Sequence, residues 1–577
     1  MRKMRLTPIF LIVGFTVFGL ALSAPNKAGL QVTRPDPPPP INAGGPVMDK
    51  DVLNPKIEYA LGKLYNIYLT KGADEARAFA AKRNIDLEGN EVRVVAEAVY
   101  SNITQALFPQ ASALKSQVQA MGGTVEMTYQ NLIQSRVPIA TLETLADNPL
   151  VRYLRMPLKP VATTVITSEG VNASGANLWQ SMTAYRNPAG GANVCVLDLG
   201  FQGYASLLGT ELPASVTTRS FRSDGNIEAD EVHGAACAEI VHDMAPNANL
   251  TLVNFSTDVE QHDAVDWITS LTGSQKIDVL SYSIGWYNAG DGKGTGPICA
   301  DVNWVAANGT LWVGAAGNDA LDHFEGTFND PDNNSYYNFP DGSEFEAFYV
   351  PAYTVVGAYL NWDDWGTWDG ASYSGSNNDY DLFLYYWNGS SWVLVDSSQG
   401  WQDGFQPPVE DISGYYSPTS RYWAVRIGKY LAARNCKMEL FVMGNSGAVN
   451  NNVQAGSLLI PGDSASSITV GAVDWSDNSR TPYHTYSSQG PTHDGRIKPD
   501  ISGYSRVTTS TYGNLGYYFS GTSAATPCVA GAIALMKEKT PYGLTDIWAI
   551  LQGRAGDLGD AGNDSVYGVG YLSLKKK

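Results

Sequence analysis

From about residue 190 onward, short and nearly continuous apolar runs alternate with helical or loop stretches. Such runs, without polar alternation, are typical of parallel strands that are covered on both faces. They occupy residues 194–197, 250–255, 277–280, 311–315 and 468–473. The pattern predicts an α/β unit with a parallel sheet covered by helices.

Two polar side chains follow these predicted strands. Asp198 comes directly after the run 194–197, and Asn318 closes the run 313–317. Because ligands of open parallel sheets bind at the carboxyl ends of the strands, we expect both side chains to face one crevice.

The stretch from 56 to 158 has a different pattern, in which helical and strand-like segments alternate. A helical run at 113–120 leads through a Gly122-Gly123 turn to a strand-like run at 124–129, and the stretch closes with another at 151–156. This pattern predicts a small α+β domain.

A third pattern occupies residues 320–450, between two parts of the α/β unit. Strand-like runs bounded by turn residues lie at 379–385, 392–395, 422–427 and 438–442. They predict a small inserted β-sandwich. Seven of the fourteen tryptophans fall here; they could form a carbohydrate- or protein-binding face, but aromatic residues of a sandwich are more often core. We therefore predict the fold and leave the ligand open.

The insertion also carries two acidic pairs, Asp363-Asp364 and Asp379/Asp381. Carboxylates and loop carbonyls are calcium ligands, which leaves structural calcium open. Solvated surface carboxylates are the interpretation that we favour.

The N-terminus has the pattern of a secretory signal. Arg2, Lys3 and Arg5 precede an apolar stretch at 9–22, and small residues at 21–23 suit a signal peptidase. A membrane anchor is the alternative, but the apolar stretch is shorter than the roughly 20 residues that span a bilayer. We expect a secreted, extracellular protein with no membrane association after cleavage.

Charge and cysteine content narrow the function. The formal net charge is -19, and no Lys/Arg-rich run occurs away from the termini, which argues against a nucleic-acid partner. Five cysteines are too few for a disulfide scaffold. We expect Cys195, Cys237 and Cys528 to be buried thiols, and Cys299 and Cys436 to pair in an oxidising compartment.

Two further residues are candidates for chemistry. His233 opens a run of small residues at 233–241, which suits a helix packed tightly on a sheet, whereas the other histidines are interpreted as surface residues: His242, His262, His323, His484 and His493. Gly521 permits a tight turn that places Ser523 at the start of the apolar helical run 528–536. A helix N-terminus favours negative charge there, although a plain N-cap serine is the alternative.

Four segments together resemble the signature blocks of the subtilase family. They are Asp-Leu-Gly at 198–200, His-Gly-Ala at 233–235, Ala-Ala-Gly-Asn at 315–318 and Gly-Thr-Ser-Ala-Ala-Thr-Pro at 521–527. Their chain order is also that of the family. The segment Ser283-Ile284-Gly285 resembles the family's substrate-binding strand.

The resemblance implies a serine endopeptidase that hydrolyses peptide bonds through an acyl-enzyme. Ser523 would be the nucleophile, His233 the general base and Asp198 its orienting partner, with Asn318 in the oxyanion hole. The implied substrate-binding residues are Ser283, Ile284, Gly285, Ala315, Ala316 and Gly317. No metal or organic cofactor is required for this chemistry, and the implied partners are protein or peptide substrates and the protein's own propeptide.

The closing part of the α+β domain resembles the inhibitory propeptide of subtilases, although an ordinary N-terminal domain is the alternative. The extended segment at 157–160 could enter the active-site cleft and pair with the edge at 283–285. This predicts an autoprocessed zymogen cleaved between about 156 and 175.

Several positions depart from the family pattern. Trp286 stands where many relatives have glycine, so its indole could narrow or roof a substrate subsite. Leu199, Ala235 and Ala524 replace commoner residues without removing a catalytic atom.

Two rival functions stay open at this point: a sedolisin-type acid peptidase, which His233 argues against, and a non-catalytic binding protein on a subtilase scaffold. The predicted organisation is a signal peptide at 1–23, a spacer at 24–55, a propeptide at 56–160, the catalytic domain at 161–319 and 451–577, and an inserted jelly-roll-like sandwich at 320–450.

Overall fold

The computed structural model describes residues 53–83, 85–99, 109–157, 161–162, 168–182, 191–229, 231–477, 485–513 and 517–575. The predicted signal peptide and nearly all of the predicted spacer lie outside these residues. Within the described part of the chain, no helix is both long and apolar enough to cross a membrane.

The N-terminal domain is the predicted α+β unit. Its helices are α1 (Tyr59–Lys71), α2 (Ala73–Lys82), α3 (Pro109–Ala120) and α4 (Leu142–Ala146). Its strands are β1 (Leu87–Glu88), β2 (Glu91–Ala98), β3 (Thr124–Tyr129), β4 (Leu132–Pro138) and β5 (Val151–Arg155). The strands form one antiparallel sheet in the order β1-β2-β4-β3, with β5 also paired to β2. The apolar face of the sheet and the helices share a core that includes Leu61, Leu114 and Val137.

The α/β unit follows. Its elements before the insertion are β6 (Val161–Ala162), α5 (Gly170–Ser174), α6 (Ala176–Gln180), β7 (Asn193–Asp198), α7 (Tyr204–Leu207), β8 (Thr217–Ser220), α8 (His233–Met244), β9 (Asn249–Asn254), α9 (Asp258–Ser270), β10 (Val279–Tyr282), β11 (Ile284–Gly285), α10 (Pro297–Ala307) and β12 (Leu311–Ala315).

The insertion contains eight strands in two sheets. They are β13 (His323–Thr327), β14 (Glu346–Val350), β15 (Thr354–Trp362), β16 (Asp379–Trp387), β17 (Trp392–Ser398), β18 (Val409–Ser417), β19 (Arg421–Leu431) and β20 (Lys437–Met443). The antiparallel orders are β13-β20-β15-β18 and β14-β19-β16-β17. Side chains of both sheets share one apolar core, as in a sandwich, and Trp362 and Trp423 belong to it. The likeness to jelly rolls stays a prediction.

After the insertion come β21 (Ser467–Asp474), β22 (Ile501–Ser505), α11 (Ser510–Gly513), α12 (Thr522–Lys539) and α13 (Leu544–Arg554). They complete a seven-stranded parallel sheet in the order β22-β21-β12-β10-β7-β9-β8. The five strands predicted from apolar runs are confirmed, whereas β8 and β22 were not predicted. Helices α8 and α12 approach closely at Gly531, where a Cβ would lie 2.5 Å from Met244 Cβ.

Two expectations, one about a disulfide and one about an acidic pair, are wrong. Cys299 and Cys436 are unbridged buried thiols, because Cys299 lies in the α/β core and Cys436 in the sandwich core. Asp379 and Asp381 are buried, because the segment before β14 covers the outer face of β16, where Tyr336 meets Phe383.

The interpretation of the remaining histidines as surface residues is also wrong for several of them. His262 and His323 are buried, and His493 and His242 are half-buried. A neighbouring domain covers His262, because Tyr129 of the N-terminal domain stacks on its ring at 4.6 Å. His484 lies outside the described residues.

Candidate active site

Asp198 and His233 come together at the carboxyl edge of the parallel sheet. Asp198 ends β7 and His233 begins α8. The Nδ1 of His233 lies 2.9 Å from both carboxylate oxygens of Asp198. The Leu199 N–H also donates to Asp198 Oδ1 at 2.8 Å. Because Nδ1 faces an acceptor, Nε2 is the nitrogen left to act as a base.

Gly234 explains why glycine follows this histidine. A Cβ at that position would lie 2.5 Å from the Gly200 carbonyl oxygen and 2.8 Å from Asp198 Cβ. Only glycine lets the start of α8 approach the end of β7 this closely.

Ser523 is the second residue of α12, so it lies where the helix N–H groups and dipole favour negative charge. The preceding Gly521 has φ of +110°, a conformation that glycine adopts without strain. Ser523 Oγ donates to the Ser283 carbonyl at 3.2 Å, and Ser283 Oγ donates to the Ser523 carbonyl at 3.0 Å. These bonds connect the start of α12 to the segment before β11.

Asn318 lies beside the start of α12 with its amide orientation fixed. Its Oδ1 accepts from the Thr522 N–H at 2.9 Å and from Thr522 Oγ1 at 3.1 Å. Its Nδ2 is buried, and no group among the described residues accepts a hydrogen bond from it. The arrangement therefore holds one N–H donor ready beside Ser523.

Among the described residues, Asp198, His233 and Cys237 form the tight group of possible metal ligands, with ligand atoms within 4.8 Å of one another. Burial raises the pKa of the Cys237 thiol well above its usual value. A protonated thiol is a poor metal ligand, and His233 is already bonded to Asp198. The group therefore suits proton transfer better than metal binding.

Comparison with known proteins agrees with this geometry. The model of the subtilase family matches residues 190–424 and 413–570. The chain belongs to the subtilase family. Subtilisin Savinase of Lederbergia lenta is 35% identical over 129 residues, which are 22% of this chain and 44% of that protein. Serine protease AprX of Bacillus subtilis (strain 168) is 31% identical over 150 residues, 23% of this chain and 33% of that protein.

The matched segment thus spans less than half the length of these curated relatives. Among solved structures, the CspB protease of Clostridium Perfringens aligns with a TM-score of 0.46 and 14% identity, covering 70% of this chain and 97% of that one.

The cleft of this subtilase has a strand edge at β11. Ile284 and Gly285 pair antiparallel with Ala162 and Val161 of β6. Glycine at 285 lets β11 approach Leu459 closely, because a Cβ there would lie 2.9 Å from Leu459 Cβ. The segment that follows the N-terminal domain therefore occupies the edge predicted to bind substrate.

The opposite predicted wall is Ala315, Ala316 and Gly317. The Ala316 N–H donates to the Val470 carbonyl at 3.0 Å, and the Gly317 N–H donates to Thr522 Oγ1 at 3.3 Å. These N–H groups are therefore used within the protein, so contacts to a substrate would involve other atoms of the wall.

Trp286 does not roof the cleft. Its side chain is buried, its Nε1 donates to Tyr282 Oη at 2.7 Å, and its ring stacks near Phe255 at 6.2 Å. The indole fills the core beneath β11, where a large apolar side chain gains most from burial.

Tyr287 and Asp319 form a contact that sequence reasoning missed. Tyr287 Oη donates to Asp319 Oδ1 at 2.5 Å, and Asp319 Oδ2 accepts from the Asn318 N–H at 3.0 Å. Burial raises the pKa of Asp319, against the effect of these hydrogen bonds. The only sequence signal was the position of Asp319 directly after Asn318.

The N-terminal domain contacts α9 and the residue just before it. Arg93 pairs with Glu260 at 2.8 Å, Arg155 pairs with Asp258 at 2.7 Å, and Thr257 Oγ1 donates to Gln134 at 2.8 Å. The insertion also contacts this domain, and there Arg83 pairs with Asp396 at 2.5 Å.

Proposed function

We propose that the protein is a serine endopeptidase in which Asp198, His233 and Ser523 form the catalytic triad. Serine is a weak nucleophile at its free pKa, so His233 Nε2 would take the Ser523 proton during attack on the substrate carbonyl. The same proton would pass to the departing amine, leaving an acyl-enzyme that water hydrolyses. Asp198 would orient the imidazole and stabilise its protonated form.

The proposal rests on two groups whose orientations are fixed: the imidazole of His233 and the amide donor of Asn318. Both oxygens of Asp198 lie 2.9 Å from His233 Nδ1, and Asn318 Nδ2 is a buried donor next to the start of α12. Negative charge that develops on the former carbonyl oxygen would be stabilised by Asn318 Nδ2 and the Ser523 N–H. An acid peptidase of the sedolisin type would not require the His233 pairing.

We further propose that the N-terminal domain is an inhibitory propeptide and that the protein is made as a secreted, autoprocessed zymogen. The support is the antiparallel pairing of β6 with β11, which would block the substrate edge. Further support comes from the ion pairs between the domain and the α9 region. Cleavage between about 156 and 175 would leave the domain bound as a product.

The proposal is tested by comparing wild type with Ser523→Ala on an unfolded protein substrate at neutral pH. Wild type should hydrolyse the substrate, and the variant should be inactive and keep its N-terminal domain uncleaved in a host that lacks a processing protease. Normal maturation of the variant would contradict self-processing, and activity of the variant would contradict the role of Ser523.

N-terminal sequencing of the active form tests the zymogen proposal separately. We expect a start between about 156 and 175, and inhibition in trans by a separately made fragment covering 56–160. An active form that begins before residue 100, with no inhibition by the fragment, would contradict it.

A further inference from the structure

Four side chains that the peptidase mechanism does not use meet where the insertion contacts the catalytic unit. His323 and Glu325 lie on β13, Glu439 lies on β20, and His493 lies between β21 and β22. Glu439 lies directly opposite Glu325 in the antiparallel register of β20 and β13. Because Phe324 and Leu440 face the sandwich core, alternation directs the three insertion residues to the opposite face, against the catalytic unit.

The nitrogens and carboxylate oxygens of this cluster approach one another closely. His493 Nε2 lies 3.2 Å from Glu439 Oε1 and 3.3 Å from Glu325 Oε2, and His323 Nε2 lies 3.6 Å from Glu439 Oε1. The His323 side chain is 0% exposed. Neither Nε2 makes a hydrogen bond of acceptable geometry with any described residue. Each buried Nε2 thus lies within ion-pair distance of at least one carboxylate oxygen.

The other nitrogen of each ring fixes its tautomer. His323 Nδ1 lies 2.6 Å from the Val453 carbonyl, and His493 Nδ1 lies 2.9 Å from the Asp291 carbonyl. Since a carbonyl only accepts, each Nδ1 must carry its hydrogen, and each neutral ring then directs a lone pair from Nε2 into the cluster. Metal-binding histidines are typically held in this way.

One carboxylate of the cluster is held similarly. Asn361 Nδ2 donates to Glu439 Oε2 at 2.6 Å, which leaves Oε1 facing both imidazoles. The carboxylate of Glu325 is fixed less firmly, because its ion-pair partner Lys437, at 2.7 Å, is 47% exposed.

We propose that His323, Glu325, Glu439 and His493 bind one structural Zn²⁺ ion. Two imidazole nitrogens and two carboxylate oxygens suit zinc, whereas calcium and magnesium prefer oxygen ligands alone. Four protein ligands complete a tetrahedron, which is typical of a structural site. The charge of the ion would also neutralise the buried carboxylate of Glu439 and the half-buried carboxylate of Glu325.

Binding requires a small rearrangement. No three of the four ligand atoms lie mutually within 4.8 Å in the described structure, so a carboxylate must turn inward, and Glu325 can do so by leaving Lys437. The competing arrangement is a metal-independent ion cluster with a protonated His493. Burial alone would lower the pKa of His493, but Glu439 and Glu325 raise it to about 11.

The site would fix one wall of the proposed cleft. His323 lies 4.7 Å from the ring of Phe441, which lies 5.4 Å from Tyr287, whose hydroxyl donates to Asp319. A cation that joins β13 and β20 to the His493 loop would hold this aromatic contact in place beside Asn318.

The test is calorimetric titration of the full chain with Zn²⁺ alone after chelator treatment and dialysis. We expect one equivalent bound, with an affinity at least about a hundredfold lower in His323→Asn and in Glu439→Gln. His242→Asn is the matched control, because this half-buried histidine lies on α8 away from the cluster, and it should bind zinc like wild type.

Failure of wild type to bind zinc would overturn the proposal, as would undiminished binding by His323→Asn. Should that variant not fold, X-ray absorption of the zinc-loaded wild type decides the question. Nitrogen and oxygen ligands at about 2.0–2.2 Å support the site, whereas a sulfur ligand at about 2.3 Å would indicate binding at a cysteine and overturn it.

Discussion

The catalytic crevice and the surface around α9 are built from different kinds of interaction. In the crevice, His233, Asn318 and Ser523 are held by hydrogen bonds to groups of the same domain. Around α9, the N-terminal domain is held by ion pairs such as Arg93 with Glu260, whose side chains are only 8% and 0% exposed. The hydrogen bonds of the crevice hold the catalytic side chains in one geometry. The ion pairs around α9 join the N-terminal domain to the catalytic unit, and they can be weakened by a change of pH or by substitution of a charged residue.

The largest loss of activity is expected from a substitution inside the catalytic crevice. Asp198→Asn should lower kcat about ten-thousandfold, because an amide at this position favours the wrong imidazole tautomer. Steady-state kinetics on a peptide substrate measures the loss. Asp224→Asn, an exposed surface change, is the control, and a loss below about tenfold would exclude Asp198 from the triad.

A smaller effect is expected from the oxyanion donor. Asn318→Ala should lower kcat by about a hundred- to a thousandfold with little change in KM, because the hydrogen bond strengthens as charge develops on the oxygen. The same assay applies. An effect below tenfold would mean that another group donates to the oxyanion.

Removing one ion pair between the N-terminal domain and the catalytic unit should have a smaller effect than either substitution in the crevice. Arg93→Ala in the N-terminal fragment should weaken its inhibition of the mature enzyme by roughly ten- to a hundredfold, since a hydrogen bond to a charged group contributes about 1.5–3 kcal/mol. Glu260 keeps the Ser223 and Ser256 N–H donors, which limits the loss. Arg77→Ala, an exposed pair within α2, should inhibit normally; equal loss in both variants would contradict a specific role.

The smallest expected effect is the pH dependence of inhibition by the N-terminal fragment. Burial, then repulsion by Asp411 of the insertion, raises the pKa of Glu58 from 4.5 to about 7, against the opposing effects of the Met156 N–H, Arg155 and Arg83. Because Asp411 belongs to the insertion, its repulsion acts on Glu58 only when the domain is docked. The contribution of Glu58 to docking is therefore strongest at low pH and is lost as pH rises through about 7.

Inhibition by the fragment should accordingly weaken about tenfold between about pH 6 and 8. The Glu58→Gln fragment should show a flatter profile, and the exposed Glu75→Gln fragment should behave like wild type. An unchanged profile for Glu58→Gln would exclude this group as the source of the pH dependence.

The crevice was more predictable than the junctions because its residues stand at the ends of elements that the sequence marks directly. Asp198 follows an apolar run and His233 precedes a run of small residues, so local pattern and family resemblance agree. The histidine cluster was harder to predict from the sequence. His323 and Glu325 share a strand face, but Glu439 and His493 are brought to them only by strand pairing and domain contact. Local polarity indicated a surface position, which is wrong for His262 and His323 because another domain covers their side of the structure. It is wrong for Asp381 because an earlier segment of the same insertion covers β16.

The central claim is most directly tested by treating the mature protein with a serine-directed fluorophosphonate and mapping the labelled residue by mass spectrometry. The account predicts stoichiometric labelling at Ser523 and none in the Ser523→Ala variant. The His233→Ala variant should react far more slowly. Absence of labelling in the folded mature protein, or labelling at a different serine, would contradict it.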